Sequence, residues 1–318
     1  MLTLPLCGFI KSIHKDVEII FLGKKYTKPL IDACCWIDTF VDWESIENNA
    51  VTELKALNAD TILHVFPTKT IAQAASRANI KQRIGTSHRW YNWLYCNKLI
   101  NLGRKNSALH EAQLNIALIT NSLGLKDKII PLENIPQYYG FERVTELAPP
   151  LKNLLNLNKF NLIIHPKSKG SAPEWGLENY NQLINSLNLN HFQLFITGTK
   201  EEGLIIQQQQ PQLFDNQNIT NLTGQLNLEQ LIRFIKNADG ILAGSTGPLH
   251  IAAALGKKTL GLYVPRKPFH PTRWKPIGNQ AEYLCFNGTC KGCKSKKICQ
   301  CIQQINVLEV KRKIESWI

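Results

Sequence analysis

At 318 residues, with 44% hydrophobic and 19% charged side chains, the chain has the composition of a globular protein and the length for two domains, which excludes fibrous and disordered classes. No apolar run nears the roughly 18 residues that a spanning helix needs, and the start lacks a signal peptide's basic and apolar regions, so cytoplasm is the expected location and the nine cysteines are expected as thiols. The formal charge of +13 is uneven: between Lys257 and Lys297 a run of lysines and arginines faces one acid, Glu282, a balance that favours anionic partners such as nucleoside diphosphates, phosphorylated lipids or nucleic acid.

In chain order, Leu6 to Ser12 reads as a helix and Val17 to Leu22 as a strand ended by Gly23. Thr52 to Asn58 is a short helix and Thr61 to Phe66 a strand. Pro67-Thr-Lys-Thr then leads into an alanine-rich helix, Ile71 to Ala78. Lys69 lies at that strand-to-helix turn, where ligands gather in open α/β sheets. His88-Arg89-Trp90-Tyr91 and Arg104-Lys105 supply cations and aromatics suited to a phosphorylated sugar, although packing is the favoured reading for Trp90, Trp93 and Tyr95. His110 to Leu123 is a helix ended by Gly124, and the segment from Phe141 to Phe160, with Pro149-Pro150 and several asparagines, is the best linker.

A second α/β series follows. Leu162 to His165 is a strand, Pro166 to Trp175 a loop of phosphate-binding character carrying Lys167 and Lys169, and a helix starts from Glu178. Phe192 to Thr197 is the next strand, with Gly198 to Glu202 as its turn. Gln207 to Gln210 reads as uninformative low complexity, and Leu228 to Asn237 as a helix. Ile241 to Ala243 ends a buried strand, and Gly244-Ser-Thr-Gly247 makes a turn that a ligand can approach closely. Ser245 or Thr246 can cap the helix that starts near Pro248, Gly256 ends it, and Thr259 to Val264 is a strand. The unpaired N–H groups of such a helix start, with no acid among them, suit a phosphate. Cys290, Cys293, Cys299 and Cys301 carry a minor zinc reading, weakened because the second pair is Cys-x-Cys. Ile305 to Trp317 is a terminal helix.

Ser245-Thr-Gly-Pro248, His250, Ala252-Ala-Ala254 and Gly256 resemble the signature of the ADP-heptose lipopolysaccharide heptosyltransferase family, glycosyltransferase family 9. Arg83-Ile-Gly85, His110-Glu111, Trp175, Leu222-Thr-Gly224 with Leu226, and Arg273-Trp-Lys-Pro276 are similar to further family motifs. The resemblance implies α/β class and GT-B architecture, two Rossmann-like domains facing a cleft. The acceptor domain would span 1–150, the donor domain 151–302, and a helix at 303–318 would pack back on the first domain. It implies donor contacts at Ser245, Thr246, Gly247 and His250, Ser168 near the phosphates, Trp175, Leu226 over the adenine, and an acid for the ribose, Glu201 rather than Glu202. The family's phosphate lysine is Pro173 here, which leaves its role to Lys167 or Lys169. Lys69, Arg89 and Arg104 are the acceptor candidates.

The implied reaction is inverting transfer of a sugar, heptose from ADP-heptose, to a lipid A-core acceptor at the inner membrane face. Leaving-group charge would fall on a helix dipole and cations, with no metal, no cofactor and no nucleic acid partner. No Asp-x-Asp is present to suggest the metal-dependent architecture. Pro5 aligns with the proline of the family's Gly-Asp-x-x-x-x-x-Pro, so that motif's first strand and its Asp, the general base, fall before Met1 and no base is assigned. Either the start lies at an internal methionine, which is favoured because the first helix and strand otherwise lack a neighbour, or the first strand is lost. The alternative function is a nucleotide-sugar-binding protein without catalysis. A basic zinc-ribbon nucleic-acid binder is a third, which does not account for two α/β halves.

Overall fold

The structure is a computed structural model that describes residues 1–104, 107–124, 129–216, 218–288, 290 and 300–318. It divides into two units, Leu2–Glu142 and Arg143–Ile318.

The first unit opens with helix α1 (Leu4–Ile13), which has Pro5 in its first turn, where the missing N–H costs nothing, and buries Leu4, Leu6 and Phe9. Strand β1 (Ile20–Gly23) pairs in parallel with β2 (Thr39–Asp42). A second parallel sheet has the order β3 (Thr61–Leu63), β4 (Gln82–Thr86), β5 (Lys98–Ile100). Helix α2 (Ala50–Ala56) packs against α3 (Lys69–Arg77), whose Ala72, Ala74 and Ala75 are buried. Helix α4 (Glu111–Ser122) is capped by His110, whose ring accepts from the Ala112 N–H at 3.2 Å while the Gln113 side chain takes the His110 N–H. The strand expected to reach Phe66 stops at Leu63, and the residues beyond it leave the sheet edge.

His64, just past β3, is 4% exposed, and burial, reinforced by the charge of Arg83, lowers its pKa from 6.5 to about 4. The folded value lies below the unfolded one, so the stability linked to neutral His64 is complete above about pH 6.5 and is lost as pH falls toward 4. The full loss is about 3 kcal/mol. His64→Leu is expected to flatten the slope of unfolding free energy against pH in that window, as read by urea melts. An unchanged slope would place the acid sensitivity elsewhere.

The second unit contains β6 (Phe160–His165), α5 (Leu177–Ser186), β7 (Phe192–Ile196), α6 (Lys200–Gln209), β8 (Ile219–Asn221), α7 (Leu228–Asn237), β9 (Gly240–Gly244), α8 (Gly247–Ala254), β10 (Lys258–Tyr263), β11 (Ala281–Cys285) and α9 (Val307–Glu315). Among the described residues its strands form one parallel sheet in the order β8-β7-β6-β9-β10-β11, the doubly wound pattern. Near-continuous apolar runs such as Leu162-Ile-Ile164 and Ile241-Leu-Ala243 fit strands covered on both faces, and all six residues are 0% exposed. Gln207 to Gln209 form the last turn of α6, and α9 packs on α5, where Val310 and Ile314 complete the core around Trp175 and Leu183.

Candidate functional site

Strand order reverses between β6 and β9. Their register pairs Ile164 with Leu242 and His165 with Ala243, so both strands end side by side and their loops leave on either side of one crevice. One wall is the start of α8. Thr246 is its N-cap, with extended backbone (φ −125°, ψ 166°), yet its hydroxyl makes no capping bond. At 6% exposure that oxygen has no hydrogen-bond partner among the described residues, an arrangement that costs free energy unless something else supplies the bond. A Cβ placed on Gly247 would meet nothing within 4 Å, so space lies open beside the first free N–H groups, and the first turn holds no acid. Ser245 is half-buried, and His250, one turn further along α8, is 7% exposed.

The opposite wall is the loop after β6. A Cβ on Gly244 would lie 3.4 Å from the Pro173 carbonyl oxygen, so loop and strand end touch. Lys169 and Gly170 take left-handed backbone (φ 49° and 77°) that folds the loop back on itself, and the Ser168 hydroxyl donates to the Ala172 carbonyl at 2.7 Å. Glu174 fills the loop's interior. Its carboxylate accepts from Lys167 Nζ at 2.5 Å and from the Ser168 N–H at 2.9 Å, and lies 3.0 Å from the Ser168 hydroxyl, whose one proton it shares with the Ala172 carbonyl. A lysine ammonium, a backbone N–H and a hydroxyl gathered on one carboxylate make a seat for an oxyanion, and here the chain supplies the anion itself.

Beyond β7 the turn separates two adjacent acids. Glu202 is 5% exposed and is used in a capping box, accepting the Thr199 N–H at 2.8 Å. Glu201 is exposed, and its carboxyl is held below the usual range by its own backbone N–H and the Thr199 hydroxyl, with Lys169 and Lys200 adding to the effect. Gly224 (φ 70°) lets the β8 turn approach the start of α6, where a Cβ would come within 2.9 Å of Lys200 Cα. Leu226 follows, half-buried. His165, at the end of β6, bonds Thr197 through Nδ1 at 2.9 Å, and burial lowers its pKa against the opposing pull of Glu202.

Two anticipated site residues have other work. Trp175 is 1% exposed, donates its indole N–H to the Ile305 carbonyl at 3.0 Å and stacks edge-on with Tyr180 at 4.9 Å, so it belongs to the core and presents no face to a ligand. Arg104 donates to the Val65 carbonyl and to Asn115, and pairs with Glu111 at 3.3 Å, which ties β3's exit to α4. Lys69 and Arg89 are exposed in the first unit, with Lys69 Nζ 5.2 Å from the centre of the Trp90 ring. Trp90 and Trp93, anticipated as packing residues, are 64% and 65% exposed. Of the four cysteines, Cys293 and Cys299 lie outside the described residues, while Cys290 and Cys301 pack on the core of the second unit. No group of three potential metal ligands occurs among the described residues.

The sequence model of glycosyltransferase family 9 (heptosyltransferase) matches residues 72–302. The chain belongs to glycosyltransferase family 9. It is 28% identical over 298 residues to a Haemophilus influenzae protein carrying only the general name of glycosyltransferase, covering 89% of this chain and 84% of that one. Over 126 residues it is 27% identical to the H. influenzae lipopolysaccharide core heptosyltransferase OpsX, covering 39% of this chain and 36% of that one. The fold matches that of E. coli ADP-heptose LPS heptosyltransferase II at a TM-score of 0.74 and 16% identity, covering 99% and 94% of the two chains. It matches E. coli heptosyltransferase WaaC with ADP at 0.71 and 15%, covering 100% and 95%. The α/β fold with parallel sheets is thus that of the GT-B-like heptosyltransferases.

Against the family pattern, the residue that sequence reasoning missed is Glu174. It sits next to Pro173, the position at which the resemblance sets the family's lysine, and that pairing of a missing cation with a neighbouring acid was the available signal. Glu174→Gln keeps an acceptor for Ser168 but removes the charge held by Lys167. Titration calorimetry with ADP should then show binding tightened roughly fivefold, the weight of one partly exposed ion pair of about 1 kcal/mol. Weaker binding would mean that Glu174 orients Lys167 rather than competing for it.

Proposed function

We propose that this family 9 protein is an inverting, metal-independent glycosyltransferase that moves a sugar, heptose from ADP-heptose, onto a lipid A-core acceptor of lipopolysaccharide at the membrane surface. The observation that carries the reading is the crevice at the strand reversal, where the open start of α8 and the buried Thr246 hydroxyl, which has no partner among the described residues, stand on one side and the loop carrying Lys167 and Lys169 on the other. A diphosphate there would take N–H groups from Gly247 onward and the Thr246 hydroxyl on one side, and Lys167, Ser168 and Lys169 on the other. Negative charge growing on the leaving diphosphate would be met by fixed dipoles and ammonium groups, without a metal. Ser245 and His250 flank that seat, Glu201 is the exposed acid suited to ribose hydroxyls, and Leu226 offers an apolar cover for the base. Two E. coli WaaC structures, one with ADP and one with ADP-2-deoxy-2-fluoro heptose, share the fold and lend support to this choice of donor.

The test is binding and transfer measured in excess EDTA. ADP-heptose should bind, and heptose should pass to a re-extracted core acceptor with inverted anomeric configuration, as read by NMR. Binding without transfer would favour the nucleotide-sugar-binding alternative. Loss of binding on chelation would sink the metal-independent mechanism.

A further inference from the structure

We infer that the C-terminal edge of the β3-β4 sheet is a membrane-docking surface, one that inserts aromatic and aliphatic side chains into the headgroup region of an anionic bilayer. Because β3 and β4 are parallel and pair Leu63 with Ile84, the segments that follow them leave the sheet on the same edge. These segments are tied together: the Tyr91 hydroxyl donates to the Pro67 carbonyl at 2.7 Å, and Trp93 Nε1 donates to the Ser87 carbonyl at 2.8 Å. On this braced platform Phe66 is 87% exposed, Leu94 66%, Trp93 65% and Trp90 64%. Four large apolar side chains thus stand exposed on these two braced segments, more than soluble surfaces carry at one place without a partner.

The surrounding charge selects the partner. Between Thr61 and His110 the sequence has no Asp or Glu, and the cations at this edge of the sheet are Lys69 and Arg89, while Arg77, Lys81, Arg83 and Lys98 lie toward the opposite edge, Lys81 paired with Asp60. Lys69 and Arg89 are exposed beside the aromatics, Lys69 over the Trp90 ring. Tryptophan and phenylalanine at the tip with cations around them match the interface of a bilayer bearing acidic lipids, where the aromatic rings sit at headgroup level and each lysine or arginine gains from the negative surface. Neither signal alone holds a protein on a membrane, and this edge has both. No helix among the described residues is long and apolar enough to cross a membrane, so attachment through this surface would be peripheral. The choice of a bilayer over a protein partner rests on the reading that the acceptor is lipid-linked.

Vesicle flotation tests it with the full chain. The protein should float with vesicles of phosphatidylglycerol and phosphatidylethanolamine, much less with phosphatidylcholine alone, and 0.5 M salt should weaken the binding. The double variant Phe66→Ser/Leu94→Ser removes two exposed side chains for which no hydrogen bonds are involved, so its melting temperature should hold while vesicle affinity drops at least tenfold. Lys69→Glu/Arg89→Glu should cause a comparable drop on anionic vesicles only. Failure of the unaltered protein to float, or equal flotation of the Phe66→Ser/Leu94→Ser variant, overturns the inference. So does a variant that floats normally but has a raised KM for a delipidated, water-soluble acceptor, because the patch would then read sugar. ADP titration on the same samples separates this failure from that of the donor reading: vesicle binding without nucleotide binding would sink the transferase and leave the docking surface standing.

Discussion

Gly247→Asp should abolish nucleotide binding while leaving the fold at least as stable as before. Position 247 is the first residue of α8, and an added side chain there meets only open space, so the substitution asks nothing of the packing. An aspartate in the first turn is favourable to the helix by roughly 0.3–1 kcal/mol through the dipole. The same carboxylate would stand where a diphosphate is proposed to rest, repelling it and taking the N–H groups it needs. ADP affinity should fall by more than 100-fold, with a melting temperature unchanged or raised. Gly247→Ala is the milder companion, with smaller bulk and no charge, and should lose far less. If Gly247→Asp binds ADP normally, the seat is not at α8 and the donor assignment fails with it.

Trp175→Ala makes the opposite prediction. The indole is fully enclosed among Tyr180, Leu183 and the segment leading to α9, and its N–H satisfies the Ile305 carbonyl. Removing it leaves a cavity and an unpaired buried acceptor, with an expected loss of about 3–5 kcal/mol. At temperatures where the variant is still folded, its ADP affinity should stay within about threefold of the parent, on the scale where tenfold is about 1.4 kcal/mol. Chemical denaturation followed by titration below the transition reads both quantities. A stable protein that has lost ADP would return Trp175 to the donor site.

The second unit was the more legible of the two because its strands are buried on both faces and announce themselves as apolar runs. The helix from Leu228 to Asn237 was read to the residue, and β6, β7, β9 and β10 within two residues of their ends. β11 was not anticipated, since Ala281-Glu-Tyr-Leu-Cys285 mixes polar and apolar residues at a sheet edge. In the first unit the three-residue strand β3 carries too little pattern to fix its end, which is why Phe66 was assigned to a strand that stops at Leu63, and β5 was not anticipated. At the site, backbone geometry was readable from glycine, proline and hydroxyl spacing. Which side chains face inward was not. Trp175, Arg104 and Glu202 have the composition of ligand contacts, and only three-dimensional context shows their hydrogen bonds already spent on Ile305, Val65 and Thr199.

The two walls of the crevice differ in stiffness, and that difference should set the pace of ligand exchange. The β9 side continues a strand whose Ile241, Leu242 and Ala243 are wholly enclosed, so it yields only if the sheet itself opens. The loop side leaves Lys169, Gly170 and Ser171 in solvent and is held by short-range bonds within itself, from Lys167 and Ser168 to Glu174, from Ser168 to Ala172 and from Ser171 to Ser168. Amide deuterium uptake should therefore be orders of magnitude faster at Lys169 and Gly170 than at Leu242 and Ala243. A spent nucleotide would leave by the slackening of that loop, while the other wall keeps its shape for the next turnover.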